Sequence, residues 1–379
     1  MSCTNPLKAF TIGINEETGK ANLKICKRDV TYLERVGHSW IKHYDPVPYS
    51  LSDDKDFIFS YDFLPCGNCL SCRLDRARDW TVRALLESKY HDDNWFVTLT
   101  YNDDHLCYNQ VEIPVLDYVS DNIAHYNYVL SDEFTGKSTL VKKHLADFLK
   151  RLRKNYEFDN HISFLACGEY GSITQRPHYH LCLFGLKLDD LEEWKKTDLG
   201  YSLYNSEFLN RCWSRECKDG ESSDFVSGNG HPHRYIGHVV IAPLTYESAG
   251  YVARYTMKKA GDDYQWLYDD FLIEREFVTA SRNPALGLQY YLDHKDEIYK
   301  YDSIVLDNGL VVKPPSYFDK LFERDNPVAM ARIKEFRKNL SVISHEEKLS
   351  VVPYDFETLL GIQDFILKDR TKSLLRKEI

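Results

Sequence analysis

The sequence lacks any apolar run that is long enough to cross a membrane, because no stretch approaches the roughly 18 apolar residues that such a helix needs. It also lacks the features of a secretory signal. The first ten residues, MSCTNPLKAF, contain neither a basic segment nor a long apolar segment. We therefore expect a cytoplasmic protein with no membrane partner. In that compartment the ten cysteines are expected to be thiols or metal ligands rather than disulfides.

Positive charge is also scarce, because 48 lysines and arginines stand against 58 acidic residues and give a net charge of −10. This balance argues mildly against nucleic acid as a partner, since contacts to phosphates need lysine or arginine. Residues 142–154, KKHLADFLKRLRK, are an exception, with six basic residues against one acid. A local basic face is therefore compatible with DNA binding, and the candidate residues are Lys142, Lys143, Lys150, Arg151, Arg254 and Lys259.

Internal repeats and low-complexity tracts are absent from the sequence too, so ordinary helices and strands are expected. Helical periodicity is present at residues 74–91, 140–154, 192–217, 247–260 and 356–377. Ser138 or Thr139 is the expected cap of the second of these helices. Strand-like patterns are present at residues 94–103, 162–171, 178–185 and 235–244, and residues 220–234 are expected to form a loop.

The predicted strands pair as hairpins with helices on one face, which is typical of an α+β domain with an antiparallel sheet. Their β-α-β-β-α-β order is close to a ferredoxin-like or RRM-like arrangement. We expect three parts along the chain. These are an N-terminal segment with a cysteine cluster at residues 1–75, the sheet domain at residues 76–290, and a mostly helical extension at residues 291–379.

Two histidines, His178 and His180, are separated by one residue at the head of an apolar strand. Because side chains alternate along a strand, both rings are expected on one face and Tyr179 on the other. Glu169 lies on the preceding strand, which a hairpin would place beside them. A carboxylate and two imidazoles form an open site for Mg²⁺, Mn²⁺ or a metal that prefers nitrogen ligands. The alternative is that both histidines are hydrogen-bonded core residues.

Two tyrosines, Tyr251 and Tyr255, are four residues apart in GYVARYTMKK, which places them on one face of a predicted helix. Arg254 lies between them, and Lys258 and Lys259 follow the pair. Cations near a phenol favour its phenolate form and bind phosphate, as nucleophilic attack on a phosphodiester requires. The alternative is a helix whose two tyrosines pack in the core while its lysines reach the solvent.

Three cysteines follow the spacing C-x2-C-x2-C in PCGNCLSCR, and they are Cys66, Cys69 and Cys72. A group this tight predicts a metal site. Zinc is favoured over an iron–sulfur cluster, because Arg76 stands where a ferredoxin-type run would place its next cysteine. Either Cys3 or Cys26 is expected to supply the fourth ligand. We expect a structural site, since three or four thiolates leave little room for a substrate.

These motifs together resemble one family, the replication initiator proteins of the Microviridae of gokushovirus type, which belong to the HUH endonuclease superfamily. The resemblance covers roughly residues 1–290 in collinear order and is loose after that. The stretches that carry it are PCGNCLSCR, WFVTLTYNDDHL, CGEYG, RPHYHLCLFG, YVARYTMKK and REFVTASRNPALG. It implies an HUH-type nicking and joining domain at residues 76–290.

The resemblance also implies a role for each residue that matches a family motif. The matching residues are His178, His180 and Glu169 as ligands of Mg²⁺ or Mn²⁺, Tyr251 and Tyr255 as nucleophiles, and Lys258 as the cation at the phosphate or phenolate. Glu169 is less secure than the histidines, because some relatives have a third histidine at that place. Tyr179 departs mildly from the hydrophobic residue that separates the two histidines in the family motif.

The implied function is rolling-circle replication initiation. A tyrosine attacks a metal-held phosphate in single-stranded DNA and leaves a 5′-phosphotyrosine and a 3′-OH primer. The expected partners are a single-stranded or supercoiled DNA origin and the helicase and polymerase of a bacterial host, in whose cytoplasm the protein would act. Two alternatives stay open: a metal-dependent nuclease that uses water, and a non-catalytic zinc-containing protein that binds nucleic acid.

Overall fold

The computed structural model of the chain describes residues 3–17, 19–47, 56–118, 124–171, 174–197, 200–258, 268–269, 272–307 and 309–371. Within these ranges, the side chains of residues 110–136, 255–258 and 345 are not described. The chain divides into two compact units. One unit comprises Met1–Arg76 and Pro327–Ile379, and the other comprises Ala77–Asn326. The boundaries at residues 75 and 290 stay predictions about functional domains.

The described residues form helices and strands throughout the chain. The helices are α1 (Leu70–Ser88), α2 (Lys142–Asn155), α3 (Glu207–Cys212), α4 (Tyr246–Lys258), α5 (Leu288–Tyr301), α6 (Ser316–Asp325), α7 (Pro327–Ser350) and α8 (Phe356–Thr371). The strands are β1 (Leu7–Ile14), β2 (Ala21–Cys26), β3 (Tyr32–Val36), β4 (Ser39–His43), β5 (Phe57–Ile58), β6 (Asp62–Leu64), β7 (Asn94–Thr100), β8 (Tyr108–Tyr118), β9 (Ala124–Ser138), β10 (Ser163–Tyr170), β11 (Pro177–Phe184), β12 (Glu192–Lys196), β13 (Ser202–Asn205), β14 (Ser214–Glu216), β15 (Phe225–Val226), β16 (Pro232–Tyr235), β17 (Val239–Pro243), β18 (Phe277–Ala280), β19 (Ile304–Val305) and β20 (Val311–Val312).

A seven-stranded sheet forms the centre of the unit Ala77–Asn326. Its strands lie in the order β12-β13-β17-β7-β11-β10-β18, and neighbouring strands are antiparallel. The predicted class, a mixed α+β chain with an antiparallel sheet, is therefore confirmed. The order places β11 in the interior of the sheet, between β7 and β10.

Helices cover both faces of this sheet, whereas the sequence predicted helices on one face. On one face, Leu145 and Phe148 of α2 belong to the same apolar cluster as Tyr179 of β11. On the other face, Val252 of α4 clusters with Cys182 of β11. Tyr179 and Cys182 point to opposite faces because side chains alternate along a strand. The apolar run at the end of β11 reflects this burial on both faces.

Residues 192–217 contain β12, β13 and the short helix α3, so the helix predicted over this range is wrong. All of β12 is exposed, so no buried stripe supports a helix there. Ser206 starts α3, because its hydroxyl accepts a hydrogen bond from the amide of Leu209 at 3.1 Å. The loop predicted over residues 220–234 is also wrong in part, since it contains β15 and most of β16. Pro232 is tolerated because it is the first residue of its strand.

The helix α2 has no side-chain cap, so the prediction of a cap at Ser138 or Thr139 is wrong. The amide of Val141 donates instead to the phenol oxygen of Tyr179, at 3.0 Å. The hydroxyl of Thr139 is engaged elsewhere, since it accepts a hydrogen bond from the amide of Glu274 at 2.9 Å. A residue of the central sheet therefore fixes the start of α2.

The unit Met1–Arg76 and Pro327–Ile379 contains two small antiparallel sheets, with strand orders β2-β1-β6 and β4-β3-β5. Phe10 and Leu33 are buried at its core. The rings of Phe63 and Phe356 lie 5.2 Å apart and join α8 to β6. The predicted helical tail is confirmed over Phe356–Thr371, and residues 372–379 lie outside the described part of the chain. None of the described helices is both long enough and apolar enough to span a membrane.

Candidate functional site

The hairpin of β10 and β11 brings the three predicted metal ligands together. The strand register pairs Glu169 directly with His178. His180 lies two residues further along β11, so its side chain is on the same face as that of His178. One ligand atom from each of the three residues lies within 4.8 Å of the others. The predicted hairpin is therefore confirmed, and the three residues form one group.

Both imidazoles contact the same carboxylate oxygen. The Nε2 atom of His178 lies 2.5 Å from Glu169 Oε1, and the Nε2 atom of His180 lies 3.0 Å from it. Glu169 is 2% exposed, so these contacts form away from water. Although burial opposes ionisation, hydrogen bonds from the two histidines lower the pKa of Glu169 to about 2. An ionised carboxylate and two imidazoles can hold a divalent cation.

Two further contacts set the direction of the imidazole rings. The Thr98 hydroxyl on β7 lies 2.9 Å from His180 Nδ1, and the Arg176 carbonyl oxygen lies 3.0 Å from His178 Nδ1. Each ring therefore uses Nδ1 for support and directs Nε2 at Glu169, as histidine metal ligands commonly do. The sequence showed Thr98 only as part of an alternating strand. Its contact with His180 depends on the pairing of β7 with β11, which the sequence did not predict.

The helix α4 brings Tyr251 to the same carboxylate. Val252 of α4 is fully buried against the sheet, which fixes the helix beside β11. The Tyr251 hydroxyl donates to Glu169 Oε1 at 3.0 Å, and its ring meets that of His180 edge-on, with centroids 5.0 Å apart. The Arg254 guanidinium lies 5.8 Å from the centre of the Tyr251 ring. The site therefore combines a phenol, a carboxylate and two imidazoles with a cation nearby.

The other predicted residues of this helix lie at the limit of what the structure describes. Tyr255 and Lys258 belong to α4, but their side chains are outside the described residues. Lys259 is outside them entirely. The helical backbone places Tyr255 one turn after Tyr251. The roles of these three residues stay predictions.

The basic residues of α2 do not lie at this site, because α2 packs on the opposite face of the sheet. Lys142 and Lys143 are exposed and form ion pairs with acidic neighbours. Lys150 is exposed as well. Arg151 is half-buried, and its Nε atom donates to the carbonyl oxygen of Cys212 at 2.8 Å. Contact of these residues with DNA stays a prediction, and it concerns the other face of the sheet.

A second candidate metal site lies in the unit Met1–Arg76 and Pro327–Ile379. Four sulfur atoms lie within 4.8 Å of one another, and they belong to Cys3, Cys66, Cys69 and Cys72. Cys26 lies elsewhere, in an apolar cluster with Phe10. Of the two predicted fourth ligands, it is therefore Cys3 that joins the group. Four thiolates suit a tetrahedral metal ion.

Backbone amides point at these sulfur atoms. The amides of Asn68 and Cys69 donate to Cys66 Sγ at 3.4 and 3.2 Å, and the amide of Cys66 donates to Cys3 Sγ at 3.3 Å. Although burial opposes ionisation, hydrogen bonds beginning with that from the Cys72 amide lower the pKa of Cys69 to about 6. Burial raises the pKa of Cys3 to about 11. A bound cation would offset this second effect by stabilising the thiolate.

The comparisons with known proteins agree with the location of the first site. A family model that describes replication-associated proteins of the ORF2 type matches residues 94–260. This range contains Glu169, both histidines of β11 and all of α4. No solved structure matches the chain significantly.

Three viral proteins are similar to the chain over most of its length. It is 34% identical over 347 residues to "Replication-associated protein ORF2" of Spiroplasma virus 4, and this match covers 88% of the chain and 92% of that protein. It is 27% identical to "Replication-associated protein VP4" of Bdellovibrio phage phiMH2K, with 74% of each chain covered. It is 29% identical to "Replication-associated protein ORF4" of Chlamydia phage 1, with 69% of the chain and 54% of that protein covered.

Proposed function

We propose that this chain, which belongs to the family of replication-associated proteins of Microviridae-type phages, initiates rolling-circle replication by nicking and rejoining single-stranded DNA. One observation carries the proposal. The Tyr251 hydroxyl donates to the carboxylate of Glu169, and the imidazoles of His178 and His180 contact the same oxygen. A nucleophile therefore lies beside a set of ligands that can hold a divalent cation.

Glu169, His178 and His180 would hold Mg²⁺ or Mn²⁺. One carboxylate and two imidazoles fit such a cation and leave positions open for phosphate oxygens. When bound, the cation polarises the scissile phosphate. The Nδ1 contacts of the two histidines already fix their rings, so the ligand set is organised before DNA binds.

Tyr251 acts as the nucleophile. Its phenol oxygen forms a bond to phosphorus, and the bond from phosphorus to the 3′ oxygen of the preceding nucleotide breaks. The 5′ end is held as a phosphotyrosine, while the 3′ oxygen takes up a proton and leaves as a 3′-OH primer. The hydrogen bond to Glu169 orients the phenol and offers an acceptor for its proton. Arg254, beside the Tyr251 ring, favours the phenolate.

Tyr255 acts in the second strand transfer. Its backbone lies one turn after Tyr251 on α4, so both tyrosines belong to one rigid element. After one round of replication, Tyr255 attacks the regenerated phosphodiester and releases a new 3′-OH. That hydroxyl attacks the phosphotyrosine of Tyr251 and closes the circle. Lys258 supplies a cation for the phosphate or the phenolate.

The strand order of the sheet supports an HUH-type core of ferredoxin-like or RRM-like topology. The chain order β7-α2-β10-β11-α3-β17 follows the β-α-β-β-α-β pattern, with the strands β12 to β16 inserted around α3. These four strands are adjacent in the sheet, in the order β17-β7-β11-β10. We assign nicking and joining to residues 76–290, flanked by the segment 1–75 and the helical extension 291–379.

Zn²⁺ is the metal proposed for Cys3, Cys66, Cys69 and Cys72, in a structural role. Four thiolate donors prefer zinc to the hard cations Mg²⁺ and Mn²⁺, and they leave no open position for a substrate. Bound zinc would tie the N-terminal strand segment to the start of α1. The two metal sites therefore differ in both chemistry and purpose.

The DNA partner is a single-stranded or supercoiled origin, and the 3′-OH primer requires the helicase and polymerase of the host. Replication therefore takes place in the cytoplasm of the bacterial host. Two other functions use the same residues differently. A nuclease that uses water would yield free products, and a non-catalytic zinc-containing binding protein would yield no cleavage.

A covalent adduct distinguishes these functions. The protein is incubated with the single-stranded genome of the virus that encodes it, in Mn²⁺ or Mg²⁺, and analysed on a denaturing gel. We expect a protein–DNA adduct that EDTA abolishes and that the double variant Tyr251→Phe/Tyr255→Phe does not form. Tyr246→Phe, an exposed position at the start of α4, is the control and should form the adduct normally. A persistent adduct in the double variant would rule out the tyrosine assignment.

A further inference from the structure

Four polar side chains lie in one row across the central sheet. Register pairs Glu169 with His178, and His178 with Thr100 on β7. On the far side of β7, the Thr100 amide donates to the His238 carbonyl oxygen at 3.0 Å, and the His238 amide donates back at 3.2 Å. Residues that exchange both backbone hydrogen bonds lie directly opposite each other, with side chains on one face. His238 is therefore in line with the candidate metal ligands.

The row changes from buried to open along its length. Glu169 is buried, His178 and Thr100 are partly exposed, and His238 is exposed. The two strand spacings between His178 and His238 place their Cα atoms about 10 Å apart. A strand of DNA whose scissile phosphate is held at Glu169 can therefore extend along the row toward His238.

The next row of the same face is closed to a polymer. It contains Thr98 and His180, which register pairs with each other. The Tyr251 ring lies over this row, 5.0 Å from the ring of His180 and 6.3 Å from that of Phe96. The outer row, which ends at His238, is therefore the open path across the described part of this face.

The position of His238 is fixed by the residue that precedes it. A Cβ atom on Gly237 would lie 1.7 Å from the Thr100 carbonyl oxygen, so only glycine permits this close approach of the two strands. The two acids of the turn after β7 are each near an arginine: Asp103 pairs with Arg176 at 2.5 Å, and Asp104 lies 3.8 Å from Arg234. These pairs reduce the repulsion that a DNA backbone would meet beside the row.

We propose that His238 binds a phosphate that neighbours the scissile one, and that single-stranded DNA crosses the sheet from Glu169 toward β17. The proposal rests on the proposed function, since Glu169 and the two histidines of β11 define the scissile position. An imidazole N–H on an exposed, rigid strand end is a suitable donor to a phosphate oxygen. His238 contacts DNA away from the bond that breaks, so its contribution is to substrate binding.

Binding is measured by fluorescence anisotropy with a labelled mixed-sequence single strand of about 30 nucleotides, which exceeds the roughly 4–16 nucleotides that such surfaces cover. His238→Ala should raise the Kd about tenfold, as loss of a hydrogen bond to a charged group does. His238→Gln keeps a donor and should stay within about threefold of the wild type. His294→Ala on α5 is the matched control and should bind normally. Thermal unfolding should be unchanged in all three variants, because His238 is exposed. An unchanged Kd in His238→Ala overturns the proposal.

Cleavage then locates the contact. Once the nick is mapped, each phosphate near it is replaced in turn by a neutral methylphosphonate. We expect one position at which the wild type loses about tenfold in KM while His238→Ala loses no more, with kcat within about twofold throughout. Equal losses in both proteins at every position overturn the proposal. A His238 effect on binding without any cleavage would refute the proposed chemistry and leave this DNA path standing.

Discussion

One carboxylate oxygen organises the candidate active site at the scale of single residues. Glu169 Oε1 lies within 3.0 Å of a nitrogen of His178, a nitrogen of His180 and the hydroxyl of Tyr251. Because the residue is buried, these partners determine its ionisation and its orientation. Glu169 therefore links the metal ligands to the nucleophile.

We expect Glu169 to stabilise the fold in a pH-dependent way. Its pKa is lowered from 4.5 to about 2. Its ionised form therefore contributes stability that is complete above pH 4.5 and is lost as the pH falls toward 2. One pKa unit corresponds to about 1.4 kcal/mol, so the full loss is on the order of 3 kcal/mol.

Urea unfolding in EDTA from about pH 6 to about pH 3 measures this contribution. The free energy of unfolding of the wild type should exceed that of Glu169→Gln at the upper end, and the difference should narrow as the pH falls. Glu193→Gln on the exposed strand β12 is the control and should follow the wild type. A difference that is constant across this range would contradict the buried, ionised Glu169.

Thr98 is expected to act on the chemistry through His180. Thr98→Val removes the hydroxyl that lies 2.9 Å from His180 Nδ1 while keeping the shape of the side chain. Loss of such a support to a metal ligand lowers metal affinity or activity roughly 10- to 100-fold. Nicking rates over a Mn²⁺ titration measure the effect. Thr279→Val on β18, on the α2 face, is the control, and equal rates in the two variants would show that Thr98 has no such role.

At the scale of elements, the cysteine group is expected to hold the N-terminal segment in place. Cys69→Ser removes one of four sulfur donors. We expect the wild type to carry about one zinc per chain, and the variant to lose most of it and to unfold at a lower temperature. Metal analysis of the purified protein measures the zinc content. Cys217→Ser lies outside the group and should keep its zinc; full zinc content in Cys69→Ser would place the metal elsewhere.

The hairpin of β10 and β11 could be predicted from the sequence, because its pairing depends on short-range patterns. His178 and His180 share a face by alternation, and Glu169 precedes them by the length of a turn. The strand β12 could not be predicted in this way. Its residues are all exposed, so it has no apolar face to reveal its period, and its pairing with β13 determines its conformation.

Interactions across the fold could not be predicted either. The support from Thr98 comes from a strand about eighty residues away in the chain, and the start of α2 is fixed by the hydroxyl of Tyr179 rather than by a local cap. Tyr179 also lies 2.7 Å, oxygen to oxygen, from the hydroxyl of Tyr101. These contacts explain why a tyrosine can occupy the fully buried position between the two histidines. Long-range partners leave no periodic pattern in the sequence.

At the scale of the whole molecule, the two faces of the central sheet carry different surfaces. The face with Tyr251 carries the candidate chemistry, and α2 covers the other face. The sequence identified the basic residues of α2 correctly as a charged surface but could not determine which face they occupy. Any DNA that contacts α2 must therefore do so away from the nick.

We expect the lysines of α2 to matter only for long DNA. The triple variant Lys142→Gln, Lys143→Gln and Lys150→Gln should bind a strand of about 60 nucleotides more weakly, and the slope of log K against log salt should become shallower by about 2, since single strands lose about 0.7 per contact. Affinity for a strand of about 12 nucleotides that covers only the nick should not change. A triple variant of Lys187, Lys195 and Lys196 to Gln controls for net charge. Equal weakening with the short strand would contradict the separation of the two faces.

The most direct measurement of the central claim is the identity of the residue that becomes linked to DNA. The adduct formed in Mn²⁺ is digested with trypsin and nuclease, and the modified peptide is sequenced by mass spectrometry. The structure predicts a nucleotide phosphate on Tyr251 in the wild type, because its hydroxyl lies 3.0 Å from the carboxylate of the metal-ligand group. In Tyr251→Phe, the remaining adduct should map to Tyr255. A phosphate linked to any residue outside α4, or DNA cleaved without a linked residue, would contradict the account.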